Sequence, residues 1–247
     1  MFKTISVIGG DLRQLTLAKL LEAEGYKVIL YGFGNHPDAV QDEGDIDYAL
    51  GCDIVILPVP VSFDGENINM QYSGKSVSTE ELLQKINPAS LVFGGQIKPL
   101  LKQRLEEKGV ACRDYITREE LAVRNAIPTA EGAIALAIEE TPITVHGSKC
   151  LVMGYGKIGK ILSKFLFGIG AQTFVEARKY ADLAMIEGHG YEPVALCELK
   201  SRIHEFDIIF NTVPAMMLDE KLLRNLKKDA LIIDLASKPG GADTKFG

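Results

Sequence analysis

The segment 150–159, C-L-V-M-G-Y-G-K-I-G, constrains the fold most, because an apolar run leads directly into glycines in G-x-G-x-x-G spacing. This order is typical of a strand, a tight turn and a helix that hold a dinucleotide, and a second strand at 172–175 follows as the motif requires. The helix N-terminus attracts the pyrophosphate. We therefore predict a cofactor-binding turn formed by Gly154, Gly156, Lys157, Ile158 and Gly159. The alternative is a glycine-rich turn that serves only the fold.

The residues after the second strand bear on which dinucleotide is bound. NAD sites usually place an acidic residue there for the ribose 2′-hydroxyl, whereas a nearby arginine accommodates a 2′-phosphate. If Val175 ends the strand, the acidic position falls on Glu176 or Ala177. We favour Ala177, because Arg178 and Lys179 then form a cationic fork for the phosphate. This interpretation predicts NADP; the alternative is NAD, with Glu176 as the ribose ligand.

Strand-like and helix-like segments alternate along the whole chain, which indicates the α/β class. We predict two Rossmann-like domains, each a parallel sheet with helices on both faces. The boundaries are 1–127 for a substrate-side domain and 128–247 for the NAD(P)-binding domain. Thr129 is predicted to cap a helix over 130–140 that connects them. The first glycine turn, G-G-D-x-R at 9–13, lacks the third glycine, so we predict no second cofactor there.

Composition excludes several classes of protein. A net charge of −6 without a Lys/Arg-rich run argues against nucleic-acid binding. We expect neither a membrane span nor a signal peptide, because no apolar stretch approaches the length of a span and the sequence opens on a predicted strand. The four cysteines show no C-x-x-C pair, and the four histidines have neither metal-ligand nor relay spacing. We therefore expect a cytoplasmic protein without a metal site.

Four blocks of sequence together resemble one family. They are G-G-D-x-R at 9–13, N-A-I-P-T-A-E-G at 125–132, G-Y-G-K-I-G at 154–159 and I-I-D-L-A-S-K-P-G-G at 232–241. The whole chain resembles the A subunits of dipicolinate synthases, and its layout is similar to that of the 2-hydroxyacid dehydrogenases. Relatives of this layout continue beyond the turn near Lys238, so we expect C-terminal elements of the cofactor domain to be missing.

The resemblance implies an activity and a partner. The activity is NAD(P)-dependent oxidation of dihydrodipicolinate to pyridine-2,6-dicarboxylate in the mother cell of a sporulating bacterium. The partner is a second, flavoprotein-like B subunit, and the substrate is a small dicarboxylate. The sequence leaves homo-oligomerisation open. Two other functions remain: a 2-hydroxyacid-type dehydrogenase, and a non-catalytic nucleotide-binding subunit completed by its partner.

The implied substrate carries two carboxylates, and arginine suits their planar, bidentate recognition. Arg13 follows the first strand and is our first candidate, with Arg118, Asn125 and Thr129 as further substrate-binding candidates. The alternatives are that Arg13 is an ordinary solvated arginine and that Thr129 serves only as a helix cap.

The implied oxidation also needs a base, for which we consider two candidate catalytic residues. Lys238 ends the last strand and could hold a carboxylate or take a proton. Glu131 could be a buried carboxylate in the first turn of the connecting helix, where the helix dipole favours its ionised form. Lys238 could instead be solvated, and Glu131 could serve only the dipole. The segment Thr212, Val213 and Pro214 resembles the one that lines the nicotinamide ribose in related dehydrogenases; the alternative is a strand-end turn.

Overall fold

The computed structural model describes residues 4–37, 44–236 and 240–241. The chain divides between Leu121 and Ala122 into two compact units, here called unit 1 and unit 2. Each unit contains a five-stranded sheet in which every pairing is parallel. The predicted α/β class with two parallel sheets is therefore confirmed.

Unit 1 has the strand order β2-β1-β3-β4-β5. Its strands are β1 (Thr4–Ile8), β2 (Lys27–Tyr31), β3 (Ile54–Ile56), β4 (Leu91–Gly94) and β5 (Ala111–Asp114). Its helices are α1 (Leu12–Ala23), α2 (Ile46–Leu50), α3 (Thr79–Lys85) and α4 (Pro99–Glu107), followed by a 3₁₀ turn at Tyr115–Thr117.

Unit 2 has the strand order β10-β9-β6-β7-β8. Its first three strands have the order of a mononucleotide-binding half of a Rossmann fold, and the last two strands continue the sheet on the other side of the first. Its strands are β6 (Lys149–Met153), β7 (Gln172–Ala177), β8 (Glu192–Ala195), β9 (Ile208–Asn211) and β10 (Leu231–Asp234). Helix α5 (Glu119–Glu140) crosses the division, and α6 (Lys157–Ile169), α7 (Tyr180–Gly188), α8 (Leu196–Arg202) and α9 (Glu220–Leu223) follow, with a 3₁₀ turn at Ile203–Glu205.

Both faces of the unit 2 sheet are buried, because alternate residues of β6 belong to two different apolar clusters. Cys150 and Val152 belong to one buried apolar cluster, while Leu151 and Met153 belong to another. Successive side chains of a strand point to opposite faces, so a strand buried on both faces reads as a continuous apolar run. This explains why β6 is recognisable from sequence although its pattern does not alternate.

Helix α5 differs most from the sequence-based expectation. The helix begins at Glu119 and continues through Pro128, which the sequence pattern places before a new helix. Thr129 is therefore not an N-cap: it lies inside the helix, and its Oγ1 donates to the carbonyl oxygen of Asn125 at 2.8 Å. Proline costs a helix one backbone hydrogen bond, which the remaining turns of this long helix tolerate.

Helix α5 is also long and apolar enough, by length and composition alone, to cross a membrane. From the sequence we expect no apolar stretch of that length. One helix of this kind is weak evidence for a membrane span, because core helices pass the same test. Here Ala130, Ala133, Ile134 and Ala137 are buried in an apolar cluster of unit 2, and 28% of the apolar window is buried.

Candidate functional site

A cavity of about 300 Å³ lies at the carboxyl ends of β6, β7 and β9. In open α/β sheets, ligands bind at the carboxyl ends of the strands, at the point where the strand order reverses. In unit 2 this point is at β6, which lies between β9 and β7. The cavity brings together seven of the predicted cofactor-binding residues: Gly154, Gly156, Arg178, Lys179, Thr212, Val213 and Pro214. Its lining also includes Tyr155, Asp182 and Met217, which the sequence analysis does not select.

Each of the three positions in the turn suits glycine for a different structural reason. Gly154 has φ +90°, and a Cβ there would lie 2.7 Å from Cγ2 of Val213. A Cβ on Gly159 would lie 2.0 Å from the carbonyl oxygen of Gly154, so only glycine lets α6 pack on the turn. A Cβ on Gly156 would meet nothing within 4 Å, which leaves space beside the backbone for a ligand.

The turn also offers backbone donors. Among the described residues, no hydrogen-bond acceptor is found for the amides of Tyr155 and Gly156, and the N-cap Gly156 provides no side-chain cap for α6. A helix N-terminus with open amides carries partial positive charge and favours an anion. Lys157 is the exposed first residue of α6, and Ile158 is half-buried behind it. The site therefore fits a pyrophosphate.

The end of β7 bears on the two registers considered for the cofactor. The strand ends at Ala177, and Glu176 is buried at 1% exposure. Oε2 of Glu176 accepts a hydrogen bond from the Gly154 amide at 3.2 Å. Arg178 and Lys179 follow as exposed cations that line the cavity.

The loop after β9 is fixed by polar contacts. Thr212 donates to the carbonyl oxygen of Met153 through both its amide and its hydroxyl, at 3.0 and 2.8 Å. Asn211, fully buried, donates through Nδ2 to Asp234 at 2.9 Å and accepts from the Val213 amide at 3.2 Å. These bonds join the carboxyl ends of β6, β9 and β10, so Thr212 and Val213 are held in place at the cavity wall.

One contact at the turn is missed by the sequence analysis. The hydroxyl of Tyr155 lies 2.9 Å from Nδ1 of His189. The spacing of residues in the sequence does not reveal this partner of His189, because Tyr155 and His189 are far apart in the chain. Lys160 lies over the Tyr155 ring at 5.1 Å, so this aromatic side chain is held on two sides.

In unit 1, Arg13 is positioned by its neighbours. Its Nε and Nη2 form a bidentate pair with Asp11, at 2.7 to 3.1 Å, and Nη2 also donates to the carbonyl oxygen of Val59 at 2.9 Å. The hydrogen bonds raise the pKa of Arg13 and lower that of Asp11. Among the described residues, Nη1 has no partner, and the side chain is 60% exposed. Arg13 is thus a fixed cation whose bidentate edge is occupied by Asp11, and Nη1 is the donor left for a further carboxylate.

The other candidates lie elsewhere. Arg118 is exposed and ion-paired with Glu120, and Asn125 is exposed on α5. Glu131 is exposed in the middle of α5, so the expected burial in a first helical turn is wrong, because the helix already begins at Glu119. Lys238 lies outside the described residues. Among the residues the structure describes, no group of three or more His, Cys, Asp or Glu side chains is placed to hold a metal ion.

Two family models match the chain. Residues 4–116 match the N-terminal domain of the dipicolinate synthase A subunit, and residues 128–238 match the NAD-binding domain of D-isomer-specific 2-hydroxyacid dehydrogenases. The dipicolinate synthase A subunit of Bacillus subtilis (strain 168) is 33% identical over 98% of this chain and 83% of the relative.

Solved structures agree with these matches. The dipicolinate synthase A subunit from Bacillus halodurans superposes with a TM-score of 0.88 at 29% identity, covering 99% of this chain and 85% of that one. Its counterpart from Bacillus subtilis gives 0.86 at 32% identity, covering 100% and 84%. The D-lactate dehydrogenase of Escherichia coli, at 17% identity and a TM-score of 0.63 over 98% and 76%, shares the fold alone.

Proposed function

The chain belongs to the family of dipicolinate synthase A subunits, and we propose that it oxidises dihydrodipicolinate to dipicolinate with a nicotinamide dinucleotide. The observation that carries the proposal is the cavity at the G-Y-G-K-I-G turn, where open amides, two cations and the hydrogen-bonded segment 212–214 meet. The fold and the family model support a nicotinamide cofactor in unit 2.

We propose NADP as the cofactor. Because β7 extends to Ala177, a small side chain stands at the strand end, where NAD sites place an acid. Glu176 is buried and bonded to Gly154, so it would have to move to reach a ribose hydroxyl. Arg178 and Lys179 are exposed beside the cavity and suit a 2′-phosphate.

The bound cofactor would accept a hydride from the substrate, and the protein would supply orientation and charge. Arg13, already held by Asp11 and Val59, would bind one substrate carboxylate through Nη1. Preorganisation lowers the entropic cost of that contact. Arg118, Asn125 and Thr129 remain candidates for further substrate contacts.

Aromatisation also requires removal of a ring proton. We keep Lys238 as the first candidate for this base. Glu131 stays a weaker candidate, because it is exposed in the middle of α5 and lacks the buried surroundings that the sequence analysis expects for it. The hydride and the proton together account for the two hydrogens that the ring loses.

The relatives are named as A subunits, which implies a partner. We propose that this partner is the flavoprotein-like B subunit that the family resemblance implies, and that the complex works in the cytoplasm of a sporulating mother cell. The proposed oxidation passes its electrons to the nicotinamide and needs no flavin, so the B subunit would serve another step or the stability of the complex.

The proposal is tested by following NADPH formation from dihydrodipicolinate with the purified chain, alone and with the B subunit. Turnover by the chain alone, lost in Arg13→Gln and kept in the surface variant Lys19→Gln, is the expected result. Turnover that appears only with the B subunit would favour a nucleotide-binding protein completed by its partner. No turnover in either form would contradict the proposed reaction.

A further inference from the structure

The buried carboxyl group of Glu176 is not accounted for by the proposed function. Its Oε1 is out of contact with solvent and has no hydrogen-bond partner among the described residues. Within the described part of the chain, Oε2 has one donor, the Gly154 amide, which also donates to the Glu176 backbone oxygen at 3.1 Å. A buried carboxylate with one shared donor is costly, because burial penalises the charged form.

The position of Glu176 relates this cost to the cofactor. The residue lines the same cavity as Gly154, Gly156 and Arg178. A pyrophosphate bound at the open amides brings negative charge to the glycine turn. Glu176 already accepts a hydrogen bond from the first amide of that turn, that of Gly154. A 2′-phosphate would in addition engage Arg178, the cation that now favours the ionised carboxylate.

We propose that Glu176 is a positioning residue for the dinucleotide, a proposal that rests on the cofactor site proposed above. It orients the first amide of the glycine turn through Oε2, and it takes up a proton when the phosphates bind. Uptake removes a repulsion between two negative groups that share one turn. Cofactor binding is therefore coupled to the protonation of a nearly buried residue in the cavity wall.

The direction of the effect follows from linkage. Burial raises the pKa of Glu176, while the Gly154 amide and the Arg178 charge lower it in part. Bound phosphates raise that pKa further, so the complex holds more protons than the free protein. Affinity then falls as pH rises between the two pKa values, by at most about tenfold per pH unit for one proton.

Other groups that face the cavity must be separated from Glu176. They are the charged or titratable side chains of Tyr155, Arg178, Lys179 and Asp182, with His189 behind Tyr155. The 2′-phosphate of NADP itself titrates at about pH 6. All of these remain in a Glu176→Gln variant, which keeps an oxygen for the Gly154 amide, removes the negative charge and replaces the other oxygen by an NH2 group. NAD⁺ has no 2′-phosphate and provides a second comparison.

The test is calorimetric titration of the full chain with NADP⁺ and with NAD⁺, in two buffers of different ionisation enthalpy, from pH 6 to pH 8. We expect the wild type to take up a larger fraction of a proton than Glu176→Gln. The glutamine variant should bind as tightly as the wild type at low pH and severalfold more tightly at pH 8. Glu187→Gln, an exposed change on α7, should match the wild type.

Equal proton counts and parallel affinities for the wild type and Glu176→Gln would overturn the inference while leaving the cofactor site intact. Absence of binding for either dinucleotide in all proteins would overturn both. Should Glu176→Gln fail to fold, difference infrared spectroscopy of the wild type gives the answer: a protonated carboxyl band must appear on cofactor binding, and its absence contradicts the proposal.

Discussion

The two glycine turns of this chain occupy equivalent sheet edges but use their amides differently. In unit 1, the amides of Gly9, Gly10 and Asp11 donate to Tyr31, Asn69 and Gln14. In unit 2, the amides of Tyr155 and Gly156 have no acceptor among the described residues. The donors of the first turn are thus used within the protein, whereas those of the second are available to an anion.

Gly156 gives the most direct residue-level prediction. Its φ of −82° is open to any residue and a Cβ there meets no atom within 4 Å, so Gly156→Val should fold normally. The larger side chain fills the space that a pyrophosphate needs. Dinucleotide binding should fall below detection while the circular dichroism spectrum is unchanged. Binding that survives would mean that this turn serves only the fold.

Arg178 carries the prediction for cofactor choice. Arg178→Gln should weaken NADP⁺ binding by about 1–3 kcal/mol, through loss of a charge-assisted contact, and change NAD⁺ binding much less. Titration of both nucleotides measures the difference, with Lys164→Gln, an exposed change on α6, as the control. An equal loss for both nucleotides would remove the case for a 2′-phosphate site.

Residue-scale prediction from sequence succeeds where the backbone pattern decides the position. The glycine turn and the segment 212–214 follow strands with clear apolar runs, so their meeting at one cavity could be predicted. Contacts between distant residues could not. The Tyr155–His189 pair and the Glu176–Gly154 bond depend on the three-dimensional path of the chain, and no local spacing reports them.

At the scale of elements, α6 depends on Gly159. A Cβ there would lie 2.0 Å from a backbone oxygen, which cannot move aside as a flexible side chain can. Gly159→Ala should therefore destabilise unit 2 by about 1–3 kcal/mol or more. Urea unfolding followed by circular dichroism measures it. Gly168→Ala, on the same helix and open to space, should cost nothing, and equal effects would contradict the packing argument.

Helix α5 shows why element boundaries are harder to predict than elements. Pro128 and Thr129 together are typical of a helix start, and that local signal favours a new helix at 130. In the structure, the buried face of Ala126, Ala130, Ala133 and Ala137 continues through the proline. Tertiary packing of this face stabilises one helix through a residue that would interrupt an isolated one. For the same reason Glu131 does not lie in a first helical turn, so the expected stabilisation of its ionised form by the helix dipole is wrong.

At the scale of the whole molecule, the class and the strand positions are predictable because each parallel sheet is built from apolar runs separated by helical segments. The order of the strands is not, since pairing between distant segments leaves no local pattern. The division between Leu121 and Ala122 falls inside the turns of α5, where the sequence offers no linker composition.

The buried cysteines allow the two units to be followed separately. Burial raises the pKa of Cys112 in unit 1 to about 11 and that of Cys150 in unit 2 to about 12, so both thiols stay protonated and unreactive in the folded chain. In Gly159→Ala, we expect Cys150 to be labelled by a maleimide at lower urea concentration than Cys112. Labelling of both thiols at one concentration would mean that the units unfold together.

The most direct test of the central claim is calorimetric titration of the chain with NADP⁺ and NAD⁺ separately, repeated in the presence of dipicolinate. We predict tighter binding of NADP⁺ than of NAD⁺, and a further gain in NADP⁺ affinity when dipicolinate is present, because cofactor and product bind the same protein cooperatively. Binding of neither nucleotide, or NADP⁺ binding that dipicolinate leaves unchanged, would contradict it.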